Sequence, residues 1–355
     1  MPGPLPAVDL DLILAQTRDL WSDARGQRIF ITGGTGFFGC WLVESFCHIN
    51  RELSLGAQAT VLSRDPARFA AKCPHLASDP AITLHTGDVR DFDFPPGEFA
   101  YIIHAATETG TKQSAAEQMD LLSSILAGTE HTLKFAAHCG AKKFLLTSSG
   151  AVYGRQPPGL THVPEDYAGA PDQLNPANVY AEGKRASELL CALYQKTADS
   201  SGLSFEAKIA RCWAFCGPHL PLDAHFAIGN FIGDMLAGRP ISIGGDGTPR
   251  RSYLYAADLA IWLWTILFRA PALVPINVGS GSDVNILELA EIVAQVLSPL
   301  TPTPPQIHVA KQAIPGASPT RYVPSVERAE SLLGLREMVG LEESIRRTFM
   351  WHGKR

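Results

Sequence analysis

Residues 28–39 read Arg28-Ile29-Phe30-Ile31-Thr32-Gly33-Gly34-Thr35-Gly36-Phe37-Phe38-Gly39, and this stretch decides the fold. A short β-branched and aromatic run, suited to a strand, passes through glycines in G-x-x-G-x-x-G spacing into Phe38–Asn50, where apolar residues return every three or four positions. Gly33 allows a tight turn, Gly36 lets backbone N–H groups approach a pyrophosphate, and Gly39 lets the helix pack close to the strand. The helix N-terminus adds partial positive charge. Such a turn suits a dinucleotide, with Gly33, Thr35, Gly36, Phe37, Phe38 and Gly39 around its phosphates.

Working outward, short apolar runs alternate with longer helical stretches. Strands are expected at Arg28–Thr32, Ala59–Ser63, Ile82–Thr86, Ala100–His104 and Lys143–Ser148, and helices at Phe38–Asn50, Gln113–Cys139 and Val179–Lys196. Most of the strands are continuously apolar, as in a parallel sheet covered on both faces. The expected fold is therefore α/β: a doubly wound parallel sheet of the Rossmann type with a smaller C-terminal lobe. The division expected is an N-terminal extension over 1–26 and a dinucleotide-binding domain over 27–207 with a return segment near 252–278. The remaining lobe, 208–251 and 279–355, holds turns such as Gly244-Gly245-Asp246-Gly247 and the proline-rich stretch Pro299–Pro315.

Composition narrows the function classes. The 355 residues carry a net charge of −5, and 46% are hydrophobic, which fits an ordinary globular chain and disfavours a nucleic-acid or anionic-membrane surface. The seven cysteines include no C-x-x-C pair, so they read as reduced, buried thiols, and no metal ligand set is expected. Met1–Trp21 carries Asp9, Asp11 and Asp19 and lacks the pattern of a secretory signal, which points to the cytoplasm. The most apolar run, Leu259–Phe268, is about half of the ~20 residues a membrane span needs and suits a buried helix.

Further residues fall where a cofactor would meet the sheet. Asp88 and Val89 follow the third strand, where Asp88 could face an adenine amino group; Ala105 and Ala106 follow the fourth, where backbone must pass near the cofactor. The second strand ends in Ser63 and Arg64 where a carboxylate would read the ribose of NAD, which leans toward NADP(H) over NAD; Asp65 is the alternative ribose partner. Tyr180 and Lys184 stand four apart at the start of a helix and hence on one face. Ser149 is at the exit of the fifth strand, where α/β sheets place ligands. An ammonium and a nicotinium nearby would stabilise a phenolate, so that Tyr180 could take a hydroxyl proton as hydride leaves the same carbon.

In this order the motifs Gly33–Gly39, Gly87-Asp88-Val89, His104-Ala105-Ala106, Ser148-Ser149 and Tyr180/Lys184 resemble the extended short-chain dehydrogenase/reductase family, the NAD-dependent epimerase/dehydratase group. The resemblance runs from residue 28 to about 335. It implies a Rossmann domain with a small C-terminal lobe, a nucleotide-sugar substrate, and a homodimer built on Gln113–Cys139 and Val179–Lys196. It also implies that Arg211–Pro218 reaches the nicotinamide, that Gly229-Asn230-Phe231 is a diphosphate-contacting turn with Asn230 in it, and that Arg251 binds the diphosphate with Arg321 as a second clamp. A guanidinium suits that role because it pairs with phosphate in bidentate geometry.

Departures from the family pattern select the reaction. Where its 4,6-dehydratases have an Asp-Glu pair this chain has Gly150-Ala151, so water elimination lacks proton carriers. The family's asparagine before Gly128-Thr129 is replaced by an apolar pair, Ile125-Leu126 standing ahead of them. The readings left are a C4 epimerase and an NADPH-dependent 4-keto-sugar reductase or dehydrogenase, with a non-enzymatic cofactor sensor as the remote alternative. The loops 108–115 and 157–175 carry no readable code for sugar or base, and neither Thr107 nor Glu108 is assigned an acid or base role.

Overall fold

The computed structural model describes residues 3–107, 114–224, 226–301 and 305–353. Its centre is a seven-stranded, all-parallel sheet. The first six strands along the chain are β1 (Arg28–Thr32), β2 (Gln58–Ser63), β3 (Ile82–Thr86), β4 (Tyr101–His104), β5 (Lys143–Ser149) and β6 (Glu206–Cys212), and Pro275–Val278 is the seventh. Across the sheet the order is Pro275–Val278, β6, β5, β4, β1, β2, β3. The chain winds outward from β1 in one direction and returns to β4 to wind in the other. A crevice therefore opens between the C-terminal ends of β1 and β4, the switch point at which such sheets take ligands.

Alternation along the strands builds a core on each face. Ile29 and Ile31 of β1 pack with Trp41 of the helix Phe37–Glu52 and with Trp262 and Trp264 of the helix Ala256–Arg269. Phe30 points the other way, into Ile102, Phe135, Phe144 and Cys191 under the helices Ala115–His138 and Val179–Ser200. Each fully buried side chain of this size is worth about 1.5–3 kcal/mol of transfer free energy. The apolar run 259–268 lies inside a buried helix, and among the described residues no helix is long and apolar enough to cross a membrane.

The C-terminal part after β6 forms a third core from Ile228, Ile232, Leu289, Val293 and Phe349. Its strands are short: Arg250–Ser252 pairs antiparallel with Asp283–Asn285 and parallel with Arg321–Tyr322, and Ile241–Ile243 pairs with Ile307–Val309. Residues 256–278 return to the large sheet as a helix and the seventh strand.

The N-terminal stretch is packed in rather than appended. Its helix Ala7–Thr17 lies against Ala256–Arg269. Asp9, counted above only as a charge, is buried: it accepts from the Tyr255 hydroxyl at 2.7 Å and pairs with Arg347. Leu5 N–H donates to Glu44 Oε1 at 2.8 Å, and Trp351 Nε1 donates to the Pro4 carbonyl at 3.0 Å.

Candidate active site

The crevice widens into a cavity of about 1090 Å³. Its walls include Gly33, Thr35, Gly36, Phe37 and Phe38 from the glycine turn, Ser63 and Arg64 from the end of β2, Asp88 and Val89, and Ala105 and Ala106. Ser149, Tyr180, Lys184, Asn230 and Arg251 line it as well. One open space thus collects all the sequence-derived candidates except Gly39 and Arg321.

The glycine turn is close-fitted to its surroundings. Gly33 has φ +72°, and a Cβ on it would stand 2.5 Å from the backbone of Ala105 and Ala106. On Gly39 a Cβ would lie 2.3 Å from the Gly33 carbonyl oxygen and the Gly34 backbone, so this glycine serves packing behind the cavity. Gly36 is different: the nearest atom to its Cβ would be 3.4 Å away, which leaves its cavity side open to a phosphate. These residues fit a dinucleotide.

A buried polar cluster holds the crevice floor. His104 bonds Thr32 Oγ1 at 2.9 Å, Thr129 Oγ1 at 3.2 Å and Thr132 Oγ1 at 3.3 Å, while the Ala106 N–H donates to Thr32 Oγ1 at 3.2 Å. Burial lowers the His104 pKa to about 3, so the ring is neutral and works as a spacer. Ile125, near the family's missing asparagine, packs against Gly183, and Thr129 bonds Ser187 at 2.9 Å, so the two helices are tied without the amide.

Lys184 lines the same cavity from the helix Val179–Ser200. Its Nζ donates to Thr107 Oγ1 at 2.6 Å and to the Thr147 carbonyl at 2.9 Å, and lies 5.9 Å from the Tyr180 ring centroid. Burial brings its pKa down to about 8. The Tyr180 phenol is pushed up to about 12 by burial, with a hydrogen bond from Ser149 opposing this. Within the protein, then, desolvation outweighs the serine hydrogen bond at this phenol, and a positive nicotinamide ring would work in the opposite direction. The Ser148 hydroxyl is engaged with Glu188, donating to its Oε1 at 2.5 Å.

A second phenol meets the same serine, and sequence reading missed it. Tyr322 is partly buried, lines the cavity, and is hydrogen-bonded to Ser149, whose oxygen accepts from the Ala151 N–H at 3.1 Å. The two-residue strand Arg321–Tyr322 sets Tyr322 in register with Arg251. Trp213 stacks between Tyr153 and Tyr322, with ring centroids 5.8 and 4.4 Å away. A Cβ on Gly150 would stand 2.6 Å from the Trp213 ring and 2.8 Å from the Tyr322 hydroxyl. The space a side chain at 150 would need is therefore aromatic.

The arginines separate by strand face. Arg250 pairs with Asp283, and so does Arg321 at 2.8 Å, and Arg321 is not among the residues that line the cavity. Arg251 faces the cavity. It donates to the Arg250 carbonyl at 2.7 Å, and among the described residues no carboxylate pairs with it. Burial lowers its pKa from the usual guanidinium value. Arg211 pairs with Glu188 at 2.7 Å and lies over the Tyr153 ring, behind the wall. Gly229-Asn230-Phe231 is helical, within the first turn and a half of Ala227–Leu236, so what was expected as a turn is a helix N-terminus.

Beyond the end of β2, Asp65 caps the helix Pro66–Lys72 by accepting the Arg68 N–H at 2.9 Å, and its own N–H donates to Ser63 Oγ at 3.2 Å. The Asp88 carboxylate is gripped by Arg90 at 2.8 and 3.1 Å and held below the usual carboxylate range. Glu108 lies outside the described residues.

A family model described as the NAD dependent epimerase/dehydratase family matches residues 29–279. The chain belongs to this family. Among similar curated members is UDP-glucuronic acid decarboxylase 1 of Arabidopsis thaliana, 28% identical over 321 residues, spanning 90% of this chain and 68% of that protein. Solved structures of this epimerase/dehydratase fold include UDP-glucuronic acid 4-epimerase from Bacillus cereus with UDP-glucuronic acid and NAD, at TM-score 0.73 and 20% identity, covering 92% of this chain and 99% of that one. The NAD-dependent NDP-hexosamine 5,6-dehydratase TunA matches at TM-score 0.73 and 24% identity, covering 93% and 98% of the two chains. This family member thus shares its fold with enzymes of several outcomes.

Proposed function

We propose that this chain is a nucleotide-sugar 4-epimerase. The observation that carries the reading is a Ser149–Tyr180–Lys184 set, the serine and lysine buried and the tyrosine partly so, facing a wall, Gly150-Ala151-Trp213-Tyr322, that holds no carboxylate. When bound, NAD(P)+ supplies the hydride acceptor at the sugar carbon. Tyr180 takes the proton of the C4 hydroxyl and later returns it, and Ser149 hydrogen-bonds the same oxygen. Lys184, anchored by Thr107 and Thr147, has a third N–H for the nicotinamide ribose and keeps positive charge near the phenol. Arg251, with no carboxylate partner among the described residues, holds the substrate diphosphate, aided by Asn230 and the amides of its helix N-terminus. Elimination of water needs an acid and a base on the wall that here is aromatic, which disfavours a dehydratase.

The adenosine rim, with Ser63 and Arg64 lining the cavity and Asp65 engaged as a cap, favours NADP(H). Met119, Leu189 and Leu193 stand exposed on the helices Ala115–His138 and Val179–Ser200, and this apolar face supports a homodimer.

A second reading rests on the similarity to UDP-glucuronic acid decarboxylases. Oxidation at C4 of a uronic acid makes a β-keto acid, which loses CO₂ with its own carbonyl as electron sink and needs only one proton returned to C5. The deciding experiment supplies UDP-glucuronic acid and NAD+ or NADP+ and follows products by NMR. Inversion at C4 without net redox change supports the epimerase, whereas CO₂ with a pentose nucleotide replaces it by the decarboxylase. Stoichiometric NADPH consumption with a 4-keto sugar nucleotide would instead support a reductase. No turnover and no thermal shift across a panel of nucleotide sugars would remove the whole reading.

A further inference from the structure

We propose that Cys40, Cys73 and His219 form a site for one thiophilic d¹⁰ cation, Zn²⁺ foremost, joining the cofactor turn to the loop that walls the cavity. These three residues are far apart in sequence and share no motif spacing. In the fold, the two sulfurs and a ring nitrogen lie within 4.8 Å of one another, and all three side chains are buried. Zn²⁺ takes thiolate at about 2.3 Å and imidazole at about 2.0–2.1 Å, so ligand atoms at this spacing close on an ion with shifts on the order of half an ångström each.

Each ligand is fixed by its neighbours. Cys40 follows Gly39 in the first turn of the helix Phe37–Glu52, with its Sγ toward the Thr35 carbonyl at 3.7 Å. Cys73 ends the helix Pro66–Lys72, and Pro74 begins the next. His219 holds the left-handed conformation, φ +69°, between Pro218, whose carbonyl accepts from Trp41 Nε1 at 2.9 Å, and Leu220, which lines the cavity. That conformation turns the ring back toward the helix bearing Cys40.

Charge supports a divalent ion. Two thiolates and Zn²⁺ sum to zero, and a buried cluster is tolerated best when neutral. Binding would release the two thiol protons to solvent, with no change of oxidation state. Two sulfurs with one imidazole select Zn²⁺ or Cu⁺ over Mg²⁺ or Ca²⁺. Catalysis is not assigned to this ion: Tyr180 and Lys184 line the cavity, and none of Cys40, Cys73 and His219 does. Its role is to brace Thr35 and Leu220, two walls of the cavity, against each other.

The test is metal analysis of the whole chain purified under reducing conditions without chelator, together with the same chain produced in cobalt-supplemented minimal medium. About one zinc per chain is expected, and thiolate-to-cobalt charge-transfer absorption in the cobalt form. Cys40→Ala with Cys73→Ala, and separately His219→Ala, should each lower bound metal at least tenfold. The wild-type measurement stands even where a variant fails to fold. Three results would overturn the site: substoichiometric metal with all seven thiols free, a cobalt spectrum lacking the sulfur band, or a Cys40–Cys73 disulfide in the isolated protein.

Discussion

The two halves of the cavity are made in different ways. The cofactor half comes from contiguous segments at the ends of β1, β2, β4 and β5, each read by the strand before it and the turn after it. The substrate half joins Gly150 and Trp213, which follow the long strands β5 and β6, to Arg251 and Tyr322, which are paired through strands of three and two residues. The difference teaches that nucleotide recognition here is local in sequence, whereas the wall that selects the reaction is assembled only by tertiary pairing.

Tyr180 stands where the halves meet, and its loss is the largest expected effect. Tyr180→Phe should reduce turnover by about 10²- to 10⁴-fold while leaving cofactor affinity nearly unchanged in a fluorescence titration. Retention of full turnover would dissolve the boundary between binding and chemistry drawn at this residue.

Asp258 tests the joint between the return helix and the C-terminal segment, because its carboxylate accepts the N–H groups of Met338 and Val339 at 3.2 and 3.1 Å. Burial raises its pKa from 3.8 to about 7. The folded protein therefore holds the proton more tightly than the unfolded chain, and this contribution is complete below pH 4. It is lost as pH rises toward 7, at up to about 1.4 kcal/mol per unit. Melting temperatures across that window should fall less for Asp258→Asn than for the wild type; identical slopes would show that the proton is not held there.

Two glycines sharpen the contrast directly. Gly39→Ala drives a methyl into the Gly33 and Gly34 backbone, and Gly150→Ala drives one into Trp213 and the Tyr322 hydroxyl. Each should cost about 1–3 kcal/mol in chemical denaturation. The first should weaken cofactor binding, whereas the second should spare it and depress turnover. Matching losses in both would mean that the halves are not separable.

Smallest is the effect at the rim. Arg64→Ala should lower the preference for NADP(H) over NAD(H) by about five- to tenfold, on the order of 1 kcal/mol, measured as the ratio of the two dissociation constants. An unchanged ratio removes Arg64 from cofactor choice.

Legibility in the sequence followed the same division. The first five strands and the long helices of the dinucleotide half are continuous periodic runs, so period and glycine spacing reveal them together with Ser149, Tyr180 and Lys184 at their ends, whereas β6 (Glu206–Cys212), at the edge of the looser C-terminal pattern, was not foreseen. Tyr322 escaped because a two-residue strand has no period. The ion pair of Arg321 with Asp283 escaped as well, because its partners stand 38 residues apart. Gly229–Phe231 looked like a turn because its glycine suggested one, yet Gly229 is small for a different reason: a Cβ there would stand 2.7 Å from the Pro221 carbonyl. Asp65 seemed free to read a ribose until its capping bond was visible.

The bond from Trp351 to the Pro4 carbonyl brings the beginning and the end of the described backbone side by side. Fraying at either end exposes the other, so both should exchange amide hydrogens in a single opening event. The described backbone thus nearly closes on itself, so that a contact between residues 347 positions apart ties the N-terminal helix and the last helix into one unit.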